Sequence, residues 1–143
     1  MQNDLILMTS EVKNSRVVIN LPFNRMLNTF HDYAFILFKD SMAAAQFCHL
    51  WDKKKVTGIF GYVSKIQIHK ANHSAKEFLT RILRSKSVFD ADPLKRPCFF
   101  FDTKEKAKYL LSILEITLEQ FVEQFSYLKV NSDFDIFFES SSL

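Results

Sequence analysis

The sequence predicts an α+β fold in which an antiparallel sheet packs on helices. Three observations predict it. Residues 17–21 (Val-Val-Ile-Asn-Leu) and 33–38 (Tyr-Ala-Phe-Ile-Leu-Phe) are β-branched and aromatic runs of strand length, joined by a short polar loop. Ser41 and Ser74 each stand before a segment with helical spacing of apolar residues. Residues 103–128 carry a wide apolar stripe that includes Tyr109, Leu110, Ile113, Leu114, Leu118, Phe121 and Phe125. A chain of 143 residues is long enough to bury a core.

The elements follow in chain order. In residues 1–12 the run Leu5-Ile6-Leu7-Met8 is too short to decide between a strand and the last turn of a helix. The strand at 17–21 ends at Pro22, which has no N–H to donate. Residues 24–29 make a loop, and a second strand over 33–39 returns antiparallel to the first. Helix 42–51 follows its Ser41 cap, with Met42, Ala45, Cys48 and Trp51 on one face and Phe47 and Leu50 beside it. Trp51 belongs to the core on this spacing. Residues 52–55 form a charged turn, 56–61 a hairpin or loop, and 63–70 a strand. Along that strand Ile66 and Ile68 point to one side, and Lys65, Gln67 and His69 to the other. Ser74 caps helix 75–84, whose stripe is Phe78, Leu79, Ile82 and Leu83, with Arg81 and Arg84 in solvent. Residues 88–97 are a loop with two prolines, 98–101 a short apolar strand, and 103–128 a long third helix started by Asp102 or Thr103. Residues 134–138 are a further strand candidate ahead of a polar tail at 139–143.

Charge is distributed unevenly. Residues 1–101 hold fifteen basic and eight acidic side chains, and residues 102–143 hold four and eight, which together give the net +3. The basic front part suits a polyanionic partner. Cys48 and Cys98 form no CxxC pair and the start lacks a signal-peptide pattern, so a reduced intracellular location, nucleus or cytoplasm, is expected. No apolar run reaches the length of a membrane span. His69 and His73 stand four apart but straddle a strand end, and Cys48 and His49 diverge on a helix. No metal or other cofactor is expected. Nucleophile-elbow, HExxH and phosphate-loop patterns are absent, so the chain is not expected to be an enzyme.

The stretch His31-Asp32-Tyr33-Ala34-Phe35-Ile36-Leu37-Phe38 resembles the strand motif K/R-G-F/Y-G/A-F-V-x-F/Y of the RNA recognition motif. Tyr33, Ala34, Phe35 and Phe38 match, and Ile36 stands for Val. Asp32 replaces the glycine and His31 the basic residue; a carboxylate there repels phosphate. Further stretches extend the likeness. Leu21-Pro22 closes a strand, and Tyr33-Ala34-Phe35-Ile36-Leu37-Phe38 is similar to YAFINF. Arg84-Ser85 with Val88-Phe89-Asp90-Ala91-Asp92-Pro93 and Arg96-Pro97 is similar to N-S-x-V-M-D-x-D-P-x-x-R-P. In these stretches, over residues 4–101, the chain resembles the carboxy-terminal RNA recognition motif of the Mei two-like family.

The resemblance implies an RRM-like (ferredoxin-like) antiparallel sheet over 1–101. Residues 102–143 would pack on the same domain. The first, central strand of the family is missing, because 17–21 aligns with its second strand. The fold would then be truncated or circularly permuted, with 98–101 or 134–138, or a second subunit, filling the gap between 33–39 and 63–70. The implied function is single-stranded RNA binding on the sheet face. Tyr33 and Phe35 would stack bases. His31, Lys65, Gln67, His69 and Lys70 would contact phosphates or base edges, with Arg16, Arg25 and Lys53–Lys55 at the rim. The alternative is a protein-interaction or homodimerisation domain using helix 103–128, with RNA binding lost.

Overall fold

The computed structural model describes residues 2–56, 64–100 and 103–125. The strand candidate 134–138 and the tail 139–143 lie outside the described residues. The chain is α+β, with five α-helices and small sheets among the described residues, and it divides into two compact units, Met1–Asn72 and His73–Leu143.

In the first unit, Leu5-Ile6-Leu7-Met8 belongs to helix α1 (Gln2–Met8), followed by a 3-10 turn at Ser10–Val12. Strand β1 (Arg16–Asn20) pairs antiparallel with β4 (Phe35–Phe38), as the two β-rich runs predict. The expected strand 33–39 is shorter than predicted, and Tyr33 lies on its extended lead-in. The register runs Asn20 to Phe35, Ile19 to Ile36, Val18 to Leu37, and then Arg16 to Phe38. Val17 is the extra residue of a β-bulge. Between these strands the expected loop contains a small ribbon, β2 (Phe23–Asn24) and β3 (Thr29–Phe30), with Phe23 and Phe30 packed edge to face at 5.1 Å.

Helix α2 (Ser41–Trp51) starts one residue earlier than predicted: Asp40, in extended conformation, is its N-cap, and Ser41 is already helical. Asp40 is held from behind, its N–H donating to Ser15 Oγ at 2.9 Å. The helix buries Phe47 against Phe38, ring centroids 5.6 Å apart. Trp51 is half-buried, and its indole N–H donates to Met8 O at 3.1 Å, tying α2 to α1. Met42, expected on the apolar face, is 83% exposed.

The predicted strand 63–70 is a correction. Only Ser64–Lys65 (β6) is strand, and it pairs with β5 (Lys55–Val56) in a ribbon separate from β1 and β4. Residues 57–63 lie outside the described residues. The gap that 98–101 was expected to fill presupposed that 33–39 and 63–70 share one sheet, and they do not.

In the second unit, α3 (Ala75–Arg84) matches its prediction. Ser74 Oγ accepts from Glu77 N at 3.1 Å, and Phe78, Leu79, Ile82 and Leu83 are all buried. Burial of four such side chains contributes about 1.5–3 kcal/mol each. Helix α3 packs on α4 (Lys104–Leu114), which Thr103 caps by accepting from Lys106 N. The expected strand 98–101 is β7 (Cys98–Phe99). The loop 88–97 holds two 3-10 turns at Lys86–Phe89 and Pro93–Lys95. It is knotted by its own motif. Asp90 and Asp92 carboxylates accept from Asp92 N and Leu94 N, and Arg96 donates to the carbonyls of Asp90 and Ala91.

The single helix expected over 103–128 is two. Helix α4 stops at Glu115, whose backbone is left-handed (φ 58°), and α5 (Leu118–Phe125) starts afresh. Thr117 and Gln120 cap α5 reciprocally: Thr117 N donates to Gln120 Oε1 at 2.9 Å and Gln120 N to Thr117 Oγ1 at 3.2 Å. Residues 126–128 lie outside the described residues.

Candidate nucleic-acid interface

Alternation along β4 separates two faces. Ile36 and Phe38 share one, and the Phe38–Phe47 contact sets that face against α2. Phe35 and Leu37 share the other. On that second face Phe35 begins a row of three rings. Tyr33 meets Phe35 at 5.7 Å with planes at 80°, and His31 meets Tyr33 at 5.2 Å with planes at 32°. Tyr33 is 47% exposed, while His31 and Phe35 are half-buried. Phe35 and the His31 imidazole thus flank Tyr33, one near-perpendicular to its ring and one tilted. His31 is anchored by its own N–H, which donates to Pro22 O at 3.0 Å.

Next to the His31 end stands the β2–β3 ribbon. Asn24 Oδ1 accepts from Met26 N at 3.0 Å and Leu27 N at 3.1 Å, and Asn28 takes φ 55°, which suits asparagine. This turn presents Arg25, Met26 and Leu27 to solvent.

The other expected contacts are not brought to the ring row. Lys65 lies on β6, and Gln67, His69 and Lys70 follow it on backbone that is not strand; all four are exposed. Their alternation with the half-buried Ile66 and Ile68 is as predicted, but the sheet is a different one. Two local bonds fix this segment: Lys53 N donates to Ile66 O at 2.7 Å, and Ile68 N to Asp52 Oδ1 at 2.9 Å.

Arg16, expected at the rim, is engaged within the fold. Its Nη1 donates to Ile6 O at 2.7 Å and to Thr9 Oγ1 at 2.8 Å, closing the C-terminal end of α1. The bulge explains it. In unbroken register, position 16 would share the face of Phe35. The extra Val17 sets Arg16 opposite Phe38 instead, on the helix side.

No protein-family model, curated protein or solved structure matches this chain. The residues themselves therefore carry the functional reading. Among the described residues no group of three or more His, Cys, Asp or Glu is placed to hold a metal ion, and no helix is long and apolar enough to cross a membrane. Of the stripe that the interaction alternative offered to a partner, Leu110 and Phe121 are buried, and Tyr109, Ile113, Leu114 and Leu118 are half-buried.

Sequence reasoning missed one relation. The β5–β6 register sets Lys55 directly opposite Lys65. The sequence carried a hint: residues 53–72 contain five lysines and a histidine and no carboxylate.

Proposed function

We propose that this chain is a non-catalytic module that binds single-stranded RNA, with bases stacked on the His31–Tyr33–Phe35 row. The row itself supports the reading. Single-strand recognition needs accessible π surfaces that are preorganised, so that little side-chain freedom is lost on stacking. Tyr33 supplies the accessible ring, and its two neighbours supply the preorganisation. Exposed Asp32 limits how closely a phosphate approaches beside Tyr33, which favours base contact over backbone contact there. The finer fold belongs to the same proposal: β1 and β4 act as the second and third strands of an RRM-like, ferredoxin-like sheet in a truncated chain.

The test is a fluorescence-anisotropy titration with single-stranded oligouridine and oligoadenosine. Tyr33→Ala weakens binding by about 1–3 kcal/mol, roughly 5- to 150-fold, and Tyr33→Ala with Phe35→Ala by about 2–5 kcal/mol. Affinity unchanged in both variants rejects the site.

A further inference from the structure

We propose that the β5–β6 ribbon is a separate phosphate-backbone site, a track for the sugar-phosphate chain of the single-stranded RNA whose bases the ring row takes. The inference rests on the proposed RNA binding and adds a second contact region to it.

Three observations carry it. The first is the Lys55–Lys65 pair, two lysines opposite each other in the register of a two-stranded ribbon, both exposed. Like charges so placed destabilise a sheet. The second is Lys53, which takes φ 65° at the start of the ribbon, a conformation that suits glycine or asparagine and strains a residue with a Cβ. The third is Lys54, whose ammonium stands 5.5 Å from the Trp51 ring centroid, so that an indole anchored to Met8 O orients it. Lysine thus stands at two positions where it works against the folded state.

Neutralisation is scarce. Among the described residues no carboxylate forms an ion pair with Lys53, Lys55, Lys65 or Lys70. The nearest carboxylate in sequence, Asp52, accepts from Ile68 N. A polyanion is the ligand that converts this arrangement from repulsive to attractive. A chain of phosphates reaching Lys55 and Lys65 together relieves their repulsion and releases the counterions each held. Lys53, Lys54 and Lys70 all lie beyond the open end of the ribbon from that pair, Lys53 and Lys54 beside Ile66.

The experiment uses the full chain, an oligouridine probe and three variants: Lys65→Glu, Lys55→Gln with Lys65→Gln, and Tyr33→Ala. Two readouts are taken, affinity between 50 and 200 mM salt, and thermal midpoint without ligand. Each phosphate contact contributes about 0.7 to the log–log salt slope on a single strand. The double glutamine variant therefore lowers the slope by about 1.4, and its deficit against the parent shrinks roughly 7-fold across that salt range. Lys65→Glu places opposite charges across the ribbon, so its midpoint rises by about 2–4 °C while RNA binding falls. That opposition of stability and affinity is a result that mere unfolding does not produce.

An unchanged slope in the double variant overturns the proposal. Lysine-dependent binding to phosphatidylserine vesicles with no binding of the oligonucleotide also overturns it, in favour of a membrane surface. Tyr33→Ala separates the two readings. If it leaves affinity intact while the lysine variants lower the slope, the ribbon stands and the ring row fails. If only Tyr33→Ala weakens binding, the ring row stands and the ribbon fails.

Discussion

Arg16→Met distinguishes a structural guanidinium from a nucleic-acid contact. In the parent, Arg16 Nη1 supplies hydrogen bonds of 2.7 Å to Ile6 O and 2.8 Å to Thr9 Oγ1. A hydrogen bond from a charged donor contributes about 1.5–3 kcal/mol when its acceptor is otherwise stranded. Ile6 O is not stranded, because Thr9 Oγ1 also donates to it at 3.0 Å. Both bonds are also partly solvent-accessible, so the low end of the range applies. Methionine keeps most of the apolar stem. The expected loss is about 2 kcal/mol. Urea denaturation followed by far-UV circular dichroism checks it. With a denaturant slope of about 1–3 kcal/mol per molar, the midpoint falls by roughly 1 M. In buffer where the variant is folded, RNA affinity and its salt slope stay at parental values. Parental stability combined with a salt slope shallower by about 0.7 would refute the reasoning, because it would place the guanidinium on a phosphate.

Three more outcomes are expected. Thr9→Val removes a hydroxyl whose one proton is shared between Leu5 O and Ile6 O and which accepts from Arg16, costing about 1–2 kcal/mol; combined with Arg16→Met the losses fall short of their sum in a double-mutant cycle. Ser74→Ala removes the oxygen that accepts Glu77 N and costs about 1 kcal/mol by chemical denaturation. Glu115→Gly relieves a left-handed backbone and loses an ion pair to Lys76 whose side chains are 53% and 71% exposed. The relief is worth about 1 kcal/mol and the exposed pair about 0.3, so thermal denaturation shows a net gain of roughly 0.5–1 kcal/mol. A lowered midpoint there would mean the ion pair outweighs the backbone.

Local patterns in this chain were legible, and registers were not. Helix α3 could be recognised from Ser74 and four apolar residues, since cap and stripe both lie within one short segment. The β1–β4 pairing followed from two β-rich runs and a short connection. The break at Glu115 also had a signal, the Thr117-Leu118-Glu119-Gln120 capping box. It was hidden because Leu114, Ile116 and Leu118 continue the apolar stripe through it and no glycine marks the stop. The ring row was visible because alternation along one strand is a local property. The Lys55–Lys65 opposition depends on cross-strand register, and no spacing rule supplies that. Neither the withdrawal of Arg16 nor the separation of residues 65–70 from the ring face left a mark in composition.

The bulge at Val17 makes the sheet's two sides interchangeable at its first position. Regular pairing of Val17 with Phe38 would turn the neighbouring cation to the side of Phe35 and take it from the end of the opening helix in the same event. A shift of one pairing partner thus couples the charge at the rim to the hold on the amino-terminal helix, with no residue changed.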